Sequence, residues 1–216
     1  KHFHAAEWRV ITVSRQPFDK ICPWPQGEKD HIQGDLNDVE HYDAIIASIR
    51  AKLAEPETGG RLAALVNNAG IVDLTARLDA MSGERLQRML AVNVLAPMLC
   101  AREAIRRMST RHGGQGGVIV NVSSSAVRSG SPAQYVDYAA SKGAIDVFTQ
   151  GLAREVAAEG VRVSAVRPGI TDTGIHATGG EPDRAQQMAA ALPMRRAAHP
   201  EEVAHAIAWL MSAEAS

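Results

Sequence analysis

Tyr138 and Lys142 are the residues of this sequence whose types and spacing best suit proton chemistry. They stand four residues apart in the segment YVDYAASKGA, residues 135–144, and this spacing places both side chains on one face of a helix. A phenol has a pKa near 10, which a neighbouring ammonium group lowers. Lowering the pKa of the phenol by about 3 units requires roughly 4 kcal/mol of stabilisation of the phenolate. One lysine does not supply this much at a solvated site, so a second positive charge near the phenol is implied. The alternative is an ordinary surface helix, on which such a pair occurs by chance.

Further polar groups stand where predicted strands end. The segment GVIVNVSSSAV closes an apolar run with Ser123, Ser124 and Ser125, and LVNNAG, residues 65–70, closes another with two amides and a glycine. A third group, Asn93, lies in the helical segment NVLAP. Because ligands of α/β proteins bind outside the carboxyl ends of the strands, these groups are expected to face one cleft.

The elements that position these groups are predicted from short runs of Val, Ile and Leu that alternate with stretches of helical period. This alternation is typical of βαβ units around a parallel sheet. The predicted strands are residues 9–14, 31–34, 62–66, 118–122 and 161–166, and the predicted helices are residues 37–53, 82–108, 138–158 and 200–211. Pro97 should bend the second helix. The segment RHGGQGG, residues 111–117, is predicted to be a helix-to-strand turn, and residues 168–182 to be a mobile loop beside the ligand.

The composition indicates one soluble globular domain over residues 1–216. The chain is 45% hydrophobic and 22% charged, with a net charge of -1, so it offers no broad electrostatic surface for nucleic acid or an anionic membrane. No run of 18 apolar residues is present. Cys22 and Cys100 are interpreted as reduced thiols of a cytoplasmic protein, and the scattered His2 and His4 do not indicate a metal. Small-molecule chemistry is therefore the favoured class of function.

Taken together, four motifs resemble those of the short-chain dehydrogenase/reductase family. They are Asn-Asn-Ala-Gly, Asn-x-Ser-Ser, Tyr-x-x-x-Lys and the Pro-Gly pair after the next strand, in that order over almost the whole chain. The resemblance implies a Rossmann fold, which is an α/β doubly wound parallel sheet. It also implies hydride transfer between a nicotinamide and a secondary alcohol or ketone. The segment SPAQYVDYAASKGAID is similar to that of sugar-dehydrogenase-like and 3-oxoacyl-reductase-like members. A 3-oxoacyl-thioester reductase is therefore one alternative function. A non-catalytic relative that senses NADP is another.

The same resemblance implies the catalytic roles. Tyr138 would be the general acid/base, and Lys142 would lower its pKa and hold the nicotinamide ribose. Ser124 would bond the substrate oxygen, with Ser125 as a rival because the spacing to the tyrosine is one residue longer than usual. Asn93 would anchor a water relay to the lysine. Its competing role is structural: an amide side chain that satisfies the backbone at a helix kink caused by the proline of NVLAP.

Cofactor contacts are implied in the same way. Ser14 and Arg15 stand after the strand RVITVSR, where NAD-preferring members carry an acid, and an arginine there can bind a 2′-phosphate, so NADP is favoured over NAD. Asp35 would bind adenine, with helix N-capping as its competing role. The other residues implied to contact the cofactor are Leu36, Asn67, Ala69, Gly70, Tyr138, Lys142, Pro168, Gly169 and Thr173.

Two departures from the family pattern stand out. The Gly-rich turn after the first strand of such proteins is absent from the sequence, as is the usual last strand. Without that first strand, the strands at 9–14 and 62–66 would each expose an unpaired edge, which is costly in a buried sheet. The sequence is therefore expected to be part of a longer polypeptide. Resemblance further implies a homo-oligomer, a tetramer or a dimer.

Overall fold

A computed structural model describes residues 8–18, 27–37, 42–56 and 61–216. Strands and helices alternate along the chain, as the pattern of apolar runs predicts. The strands are β1 Thr12–Ser14, β2 His31–Gln33, β3 Ala64–Asn67, β4 Gly117–Val122 and β5 Val161–Val166. The α-helices are α1 Tyr42–Leu53, α2 Gly83–Leu90, α3 Ala96–Met108, α4 Ala126–Ser129, α5 Val136–Val156, α6 Ile175–Thr178, α7 Arg184–Ala189 and α8 Pro200–Met211. Cys22, His2 and His4, for which the sequence made predictions, lie outside the described residues. Residues 38–41 of the first predicted helix also lie outside them.

The described strands are parallel, in the orders β1-β2 and β3-β4-β5. Leu65 of β3 pairs with Ile119 of β4, which pairs in turn with Val163 of β5. The carboxyl ends of these three strands therefore lie together, and the loops that follow them open onto one edge. The Rossmann-like fold predicted from the sequence is confirmed.

Strand β4 is covered on both faces. Ile119 packs on one side with Ala101 of α3 and Leu152 of α5, whereas Val118 and Val120 face Ile207 of α8 on the other. Because successive side chains of a strand point to opposite faces, a run without polar alternation suits this position. Complete burial of a side chain such as Ile119 contributes about 2 kcal/mol.

The two parts of the sheet are not joined in the part of the chain that the structure describes. There β1 pairs with β2 and β3 pairs with β4, so one edge of β1 and one edge of β3 have no strand partner. Residues 9–14 and 62–67 instead line opposite walls of a cleft of about 2290 Å³. The prediction of two unpaired edges at this point is confirmed for the described residues.

The helix predicted for residues 82–108 is divided. Ser82 caps α2 by accepting a bond from the N–H of Arg85, and a π-helical turn, Ala91–Leu95, separates α2 from α3. Pro97 in the first turn of α3 has no N–H to donate to the carbonyl of residue 93, which removes one α-helical bond at this point. The distortion thus takes the form of a π-turn, which places Asn93 at its centre.

The Gly-rich segment 111–117 forms the predicted turn from helix to strand. Gly116 has a φ of +78°, and a Cβ atom there would lie 2.5 Å from the carbonyl oxygen of Gly160. A Cβ on Gly114 would collide with the backbone of Met108. These glycines are required by the close approach of two backbones, and a strand follows them, as predicted for a turn from helix to strand.

Candidate active site

Tyr138 and Lys142 lie on one face of α5 at the carboxyl edge of the sheet. The Nζ atom of Lys142 is 5.7 Å from the centroid of the Tyr138 ring, and the lysine is only 4% exposed. Nζ donates a 2.7 Å hydrogen bond to the carbonyl oxygen of Val122, the last residue of β4. The buried ammonium group is thus fixed beside the phenol, and both side chains line the cleft.

The electrostatics of this pair depend first on burial. Burial lowers the pKa of Lys142 to about 8, partly opposed by the carboxylate of Asp146. Burial also raises the pKa of Tyr138, and a hydrogen bond with Ser124 acts in the opposite direction. The residues of the chain alone therefore keep the phenol protonated at neutral pH, which agrees with the expectation that a second positive charge is needed to form phenolate.

The three consecutive serines have different surroundings. Ser123 is buried, and its hydroxyl donates to the carbonyl oxygen of Lys142 at 3.2 Å. The hydroxyl of Ser124 lies near the phenol of Tyr138, whose pKa it lowers against the effect of burial, and it accepts the N–H of Ala126 at 3.1 Å. Ser125 is exposed, and its N–H donates to Pro168. Of the two rivals considered for the substrate oxygen, the structure therefore brings Ser124 to the tyrosine.

Asn93 is completely buried and fully bonded. Its Oδ1 accepts the N–H of Ile71 at 2.8 Å, and its Nδ2 donates to the carbonyl of Ile71 at 2.9 Å and to the hydroxyl of Ser141 at 3.1 Å. A Cβ atom on Gly70 would lie 3.3 Å from Nζ of Lys142 and 3.4 Å from Oδ1 of Asn93. Asn93 thus fastens the loop after β3 to the catalytic helix next to the lysine, and none of these bonds is made to Pro97.

A polar network behind the site was not predicted from the sequence, although two of its residues belong to the Asn-Asn-Ala-Gly and Asn-x-Ser-Ser motifs. Asn67 at the end of β3 donates to Oδ1 of Asn121 on β4 at 2.9 Å, and Asn121 donates to Thr149 on α5 at 2.9 Å. Asn67 also donates to the carbonyl of Pro97 at 3.3 Å. Its Nδ2 therefore binds the protein interior, although residue 67 lines the cleft. Only the pairing of β3 with β4 brings these amides together.

An ion pair that was also missed fixes the start of α5. Nε of Arg85 lies 2.8 Å from Oδ2 of Asp137, and the two side chains are 10% and 2% exposed. Oδ1 of Asp137 accepts the backbone N–H of Tyr138 at 2.9 Å, and Arg85 also donates to the carbonyl of Leu74. Tyr138 is therefore held through its own backbone.

The residues implied to bind adenosine lie at the far end of the cleft. Ser14, Arg15, Asp35 and Leu36 all line it, and Arg15 and Asp35 are exposed. Oδ1 of Asp35 accepts the N–H of Asn37 at 2.9 Å. Residue 37 lies in a turn, which Asp35 therefore caps.

The other implied cofactor residues line the same cleft. Gly70 is partly buried, whereas Ala69, Gly169 and Thr173 are exposed. Cleft-lining groups follow β1, β2, β3, β4 and β5 in turn, and an open cleft at the carboxyl ends of parallel strands suits an elongated dinucleotide. The residues present fit such a cofactor at both ends.

Two other classes of site are not found. Within residues 8–18, 27–37, 42–56 and 61–216, no group of three or more His, Cys, Asp or Glu side chains could hold a metal ion. Over the same residues, none of the helices combines the length and apolar character needed to span a bilayer.

Comparison with known proteins assigns the family. Residues 1–216 match the family model described as Enoyl-(Acyl carrier protein) reductase. A protein of Escherichia coli named "Uncharacterized oxidoreductase YgfF" is 50% identical over 185 residues, which are 86% of this chain and 72% of that protein. This chain belongs to the short-chain dehydrogenase/reductase family.

Solved structures agree in fold and hold nicotinamide cofactors. An oxidoreductase of the short-chain dehydrogenase/reductase family from Brucella ovis, in complex with a partially ordered NAD, superimposes with a TM-score of 0.77 at 32% identity, over 99% of this chain and 86% of that one. ElxO with NADP bound gives a TM-score of 0.79 at 29% identity, over 99% of this chain and 85% of that one. The family assignment supports an oxidoreductase with a nicotinamide cofactor.

Proposed function

We propose that this chain transfers a hydride between a nicotinamide cofactor and a secondary alcohol or ketone, with Tyr138 as the general acid/base. One observation carries the proposal: Ser124, Tyr138 and Lys142 line one cleft, where the Ser124 hydroxyl lowers the pKa of Tyr138 against the effect of burial and the buried ammonium group of Lys142 lies 5.7 Å from the phenol ring. An acid, a hydrogen-bond donor for the substrate oxygen and a cation are therefore within reach of one reacting carbonyl.

The roles of the side chains follow from their chemistry. When bound, the nicotinamide supplies or accepts the hydride. In carbonyl reduction, Tyr138 donates its proton to the substrate oxygen, and Ser124 donates a hydrogen bond to the same atom. Lys142 stabilises the negative charge on the phenol oxygen, and Asn93 holds the loop after β3 beside the lysine, next to the proposed water relay that returns the proton through the lysine. Burial raises the pKa of Tyr138, so the protonated phenol is suited to act as an acid.

NADP is the preferred cofactor in this proposal. Arg15 is exposed at the carboxyl end of β1, and its backbone carbonyl accepts a 3.0 Å bond from the side chain of Gln33 on β2. A guanidinium group there can form a bidentate pair with a 2′-phosphate. Asp35, Leu36, Asn67, Ala69, Gly70, Pro168, Gly169 and Thr173 are proposed to complete the cofactor contacts.

A 3-oxoacyl-thioester reductase is the second candidate. A solved structure described as 3-ketoacyl-(acyl-carrier-protein) reductase from Brucella melitensis, which superimposes with a TM-score of 0.74 at 28% identity, supports a thioester of this kind. The same Tyr138 chemistry would serve it, since the reacting group is again a ketone. The two candidates differ in the substrate that the loop over the cleft accepts.

The protein is further proposed to act in the cytoplasm as a homo-oligomer, a tetramer or a dimer. Leu90 and Val147 are 51% and 71% exposed, on α2 and α5. Exposed apolar groups on helices favour contact with another copy. Light scattering coupled to gel filtration would measure the assembly, and a monomeric mass would contradict this part of the proposal.

The decisive experiment follows oxidation of NADPH and NADH by the full protein over ketones, sugars and 3-oxoacyl thioesters. Turnover is expected with NADPH, and Tyr138→Phe should lower kcat by 100-fold or more, on the order of a lost general acid. NADPH binding and the melting temperature serve as controls that the variant is folded. Full turnover by Tyr138→Phe would overturn the mechanism, and NADPH binding without turnover of any substrate would favour the sensing alternative.

A further inference from the structure

Tyr135 connects three segments that are distant in sequence. It is 7% exposed and lies one helical turn before Tyr138. Its hydroxyl donates to Oε2 of Glu181 at 2.6 Å and accepts from Oγ1 of Thr75 at 3.0 Å. Glu181 belongs to the lid, defined as residues 170–194, and Thr75 to the loop after β3. Both hydrogen-bonding roles of the phenol are therefore filled by segments that border the cleft.

Arg184 of the lid reinforces the same junction. Its guanidinium carbon is 5.2 Å from the centroid of the Tyr135 ring, a cation–π distance. One guanidinium nitrogen is paired with Glu181, and the other donates to Oε1 of Gln134 at 2.8 Å. Arg184 of the lid therefore contacts both the ring of Tyr135 and the loop that precedes α5. Glu181 balances the charge of Arg184 within the junction.

The junction joins a protonated phenol to an ionised carboxylate. Burial and the bond to Glu181 raise the pKa of Tyr135, and the hydrogen bond from Tyr135 lowers the pKa of Glu181. At neutral pH the phenol is therefore a donor and the carboxylate an acceptor. A charge-assisted bond of this kind is stronger than one between neutral groups.

The loop that leads into Tyr135 is strained. Ser131 has a φ of +44° and Ala133 a φ of +58°, and residues with a Cβ rarely adopt this region. The carbonyl of Gln134 accepts the N–H of Ala76 at 3.0 Å, which helps to hold the loop. Strain of this kind persists only where surrounding contacts enforce it, and it gathers at functional clamps.

The junction also lines the cleft that contains Tyr138. Tyr135 and Arg184 line the same cleft as Tyr138, together with the lid residues Met188 and Leu192. A movement of the lid away from α5 would carry this wall away from the reacting carbonyl.

We propose that Tyr135 is a positioning residue whose hydroxyl holds the lid against the catalytic helix and so sets the wall of the substrate pocket. The role toward substrate rests on the proposed function; the fastening of the lid does not. Tyr135→Phe removes the hydroxyl and keeps the ring under Arg184. Thr110→Val is the matched control, because it removes a hydroxyl that bonds the carbonyl of Glu159 outside the lid and the cleft.

Hydrogen exchange of the full protein, measured by mass spectrometry without substrate, tests the fastening. Tyr135→Phe is expected to speed exchange in the peptides of residues 170–194 by about tenfold, as expected for one lost charge-assisted bond. Exchange in α3 should stay unchanged, and Thr110→Val should leave the lid as in the wild type. Unchanged lid exchange in Tyr135→Phe, or an equal rise throughout the chain, would overturn the proposal.

Steady-state kinetics test whether Tyr135 positions the wall of the substrate pocket. They use a ketone that the wild-type protein turns over in the substrate panel described above. Tyr135→Phe is expected to raise KM for the ketone by about tenfold and to change kcat by less than about twofold, because the proton-transfer groups are intact. A lowered kcat with unchanged KM would overturn the positioning role. If the wild-type protein turns over no substrate, the proposed function fails, and the exchange experiment still decides whether Tyr135 fastens the lid.

Discussion

The ammonium nitrogen of Lys142 lies 2.7 Å from the carbonyl oxygen of Val122, to which it donates a hydrogen bond. This bond joins the catalytic helix α5 to the last residue of β4, so the position of the cation depends on the sheet as well as on the helix. Because the carbonyl satisfies only one of the three N–H groups of the ammonium, the lysine can still donate to a ligand in the cleft. The cost of burying this charge leads to the first prediction.

Lys142 should make folding stability depend on pH. Burial lowers its pKa from 10.5 to about 8, so between these values the unfolded chain binds more protons than the folded chain, and the contribution of Lys142 to stability rises with pH. The free energy of unfolding of the wild type, minus that of Lys142→Met, should therefore increase by on the order of 3 kcal/mol across this window. Urea unfolding at pH 7.5, 9 and 10.5 measures it; parallel curves for the two proteins would show that the lysine is not buried as described.

The serine that serves the substrate oxygen can be identified with two variants. The hydroxyl of Ser124 lies near the phenol and lowers the pKa of Tyr138 against the effect of burial, whereas Ser125 is exposed and bonds Pro168 through its backbone, which an alanine retains. Ser124→Ala is expected to lower kcat by about 100-fold, the magnitude of one lost oxyanion donor, and Ser125→Ala by less than about twofold. Steady-state kinetics with NADPH and a ketone measure both. A larger loss of kcat in Ser125→Ala than in Ser124→Ala would instead assign the bond to the substrate oxygen to Ser125.

The ion pair between Arg85 and Asp137 should contribute to stability because it is buried. Asp137→Asn leaves the guanidinium without its charge partner and is expected to lower the free energy of unfolding by about 3 kcal/mol. Asp79→Asn is the matched control: Asp79 pairs with Arg77 at 70% and 75% exposure, and exposed pairs contribute less than about 1 kcal/mol. Urea unfolding compares the two variants, and equal losses would contradict the assigned role of burial.

Gly70 should be required for the spacing between Asn93 and Lys142. In Gly70→Ala the new methyl group would lie 3.3 Å from Nζ of the lysine, so the ammonium group must move. We expect kcat to fall by about tenfold. The free energy of unfolding is expected to fall by about 1 kcal/mol. Gly83→Ala, in the first turn of α2 with no atom within 4 Å of the new methyl, should instead stabilise the protein by about 0.5 kcal/mol. Thermal melts and kinetics on both variants test this contrast, and wild-type activity in Gly70→Ala would show that the lysine can shift without consequence.

Elements and their order were predictable because they depend on local periodicity. The bounds of α8 and β5 are those predicted, and α5 begins at Val136, two residues before the predicted start. The helix across Pro97 was predicted to bend, but the π-turn that centres on Asn93 was not, since its geometry depends on the loop at Ile71 that Asn93 binds.

By itself the sequence determined the fold class, the family and the pairing of Tyr138 with Lys142, because helical spacing and strand ends are local properties of the chain. Tertiary structure alone decided that Ser124 and not Ser125 reaches the phenol, that Asp137 pairs with Arg85, and that Tyr135 meets Glu181 across 46 residues of sequence. These contacts join separate elements, and their energies depend on burial, which exists only once the helices have packed against the sheet.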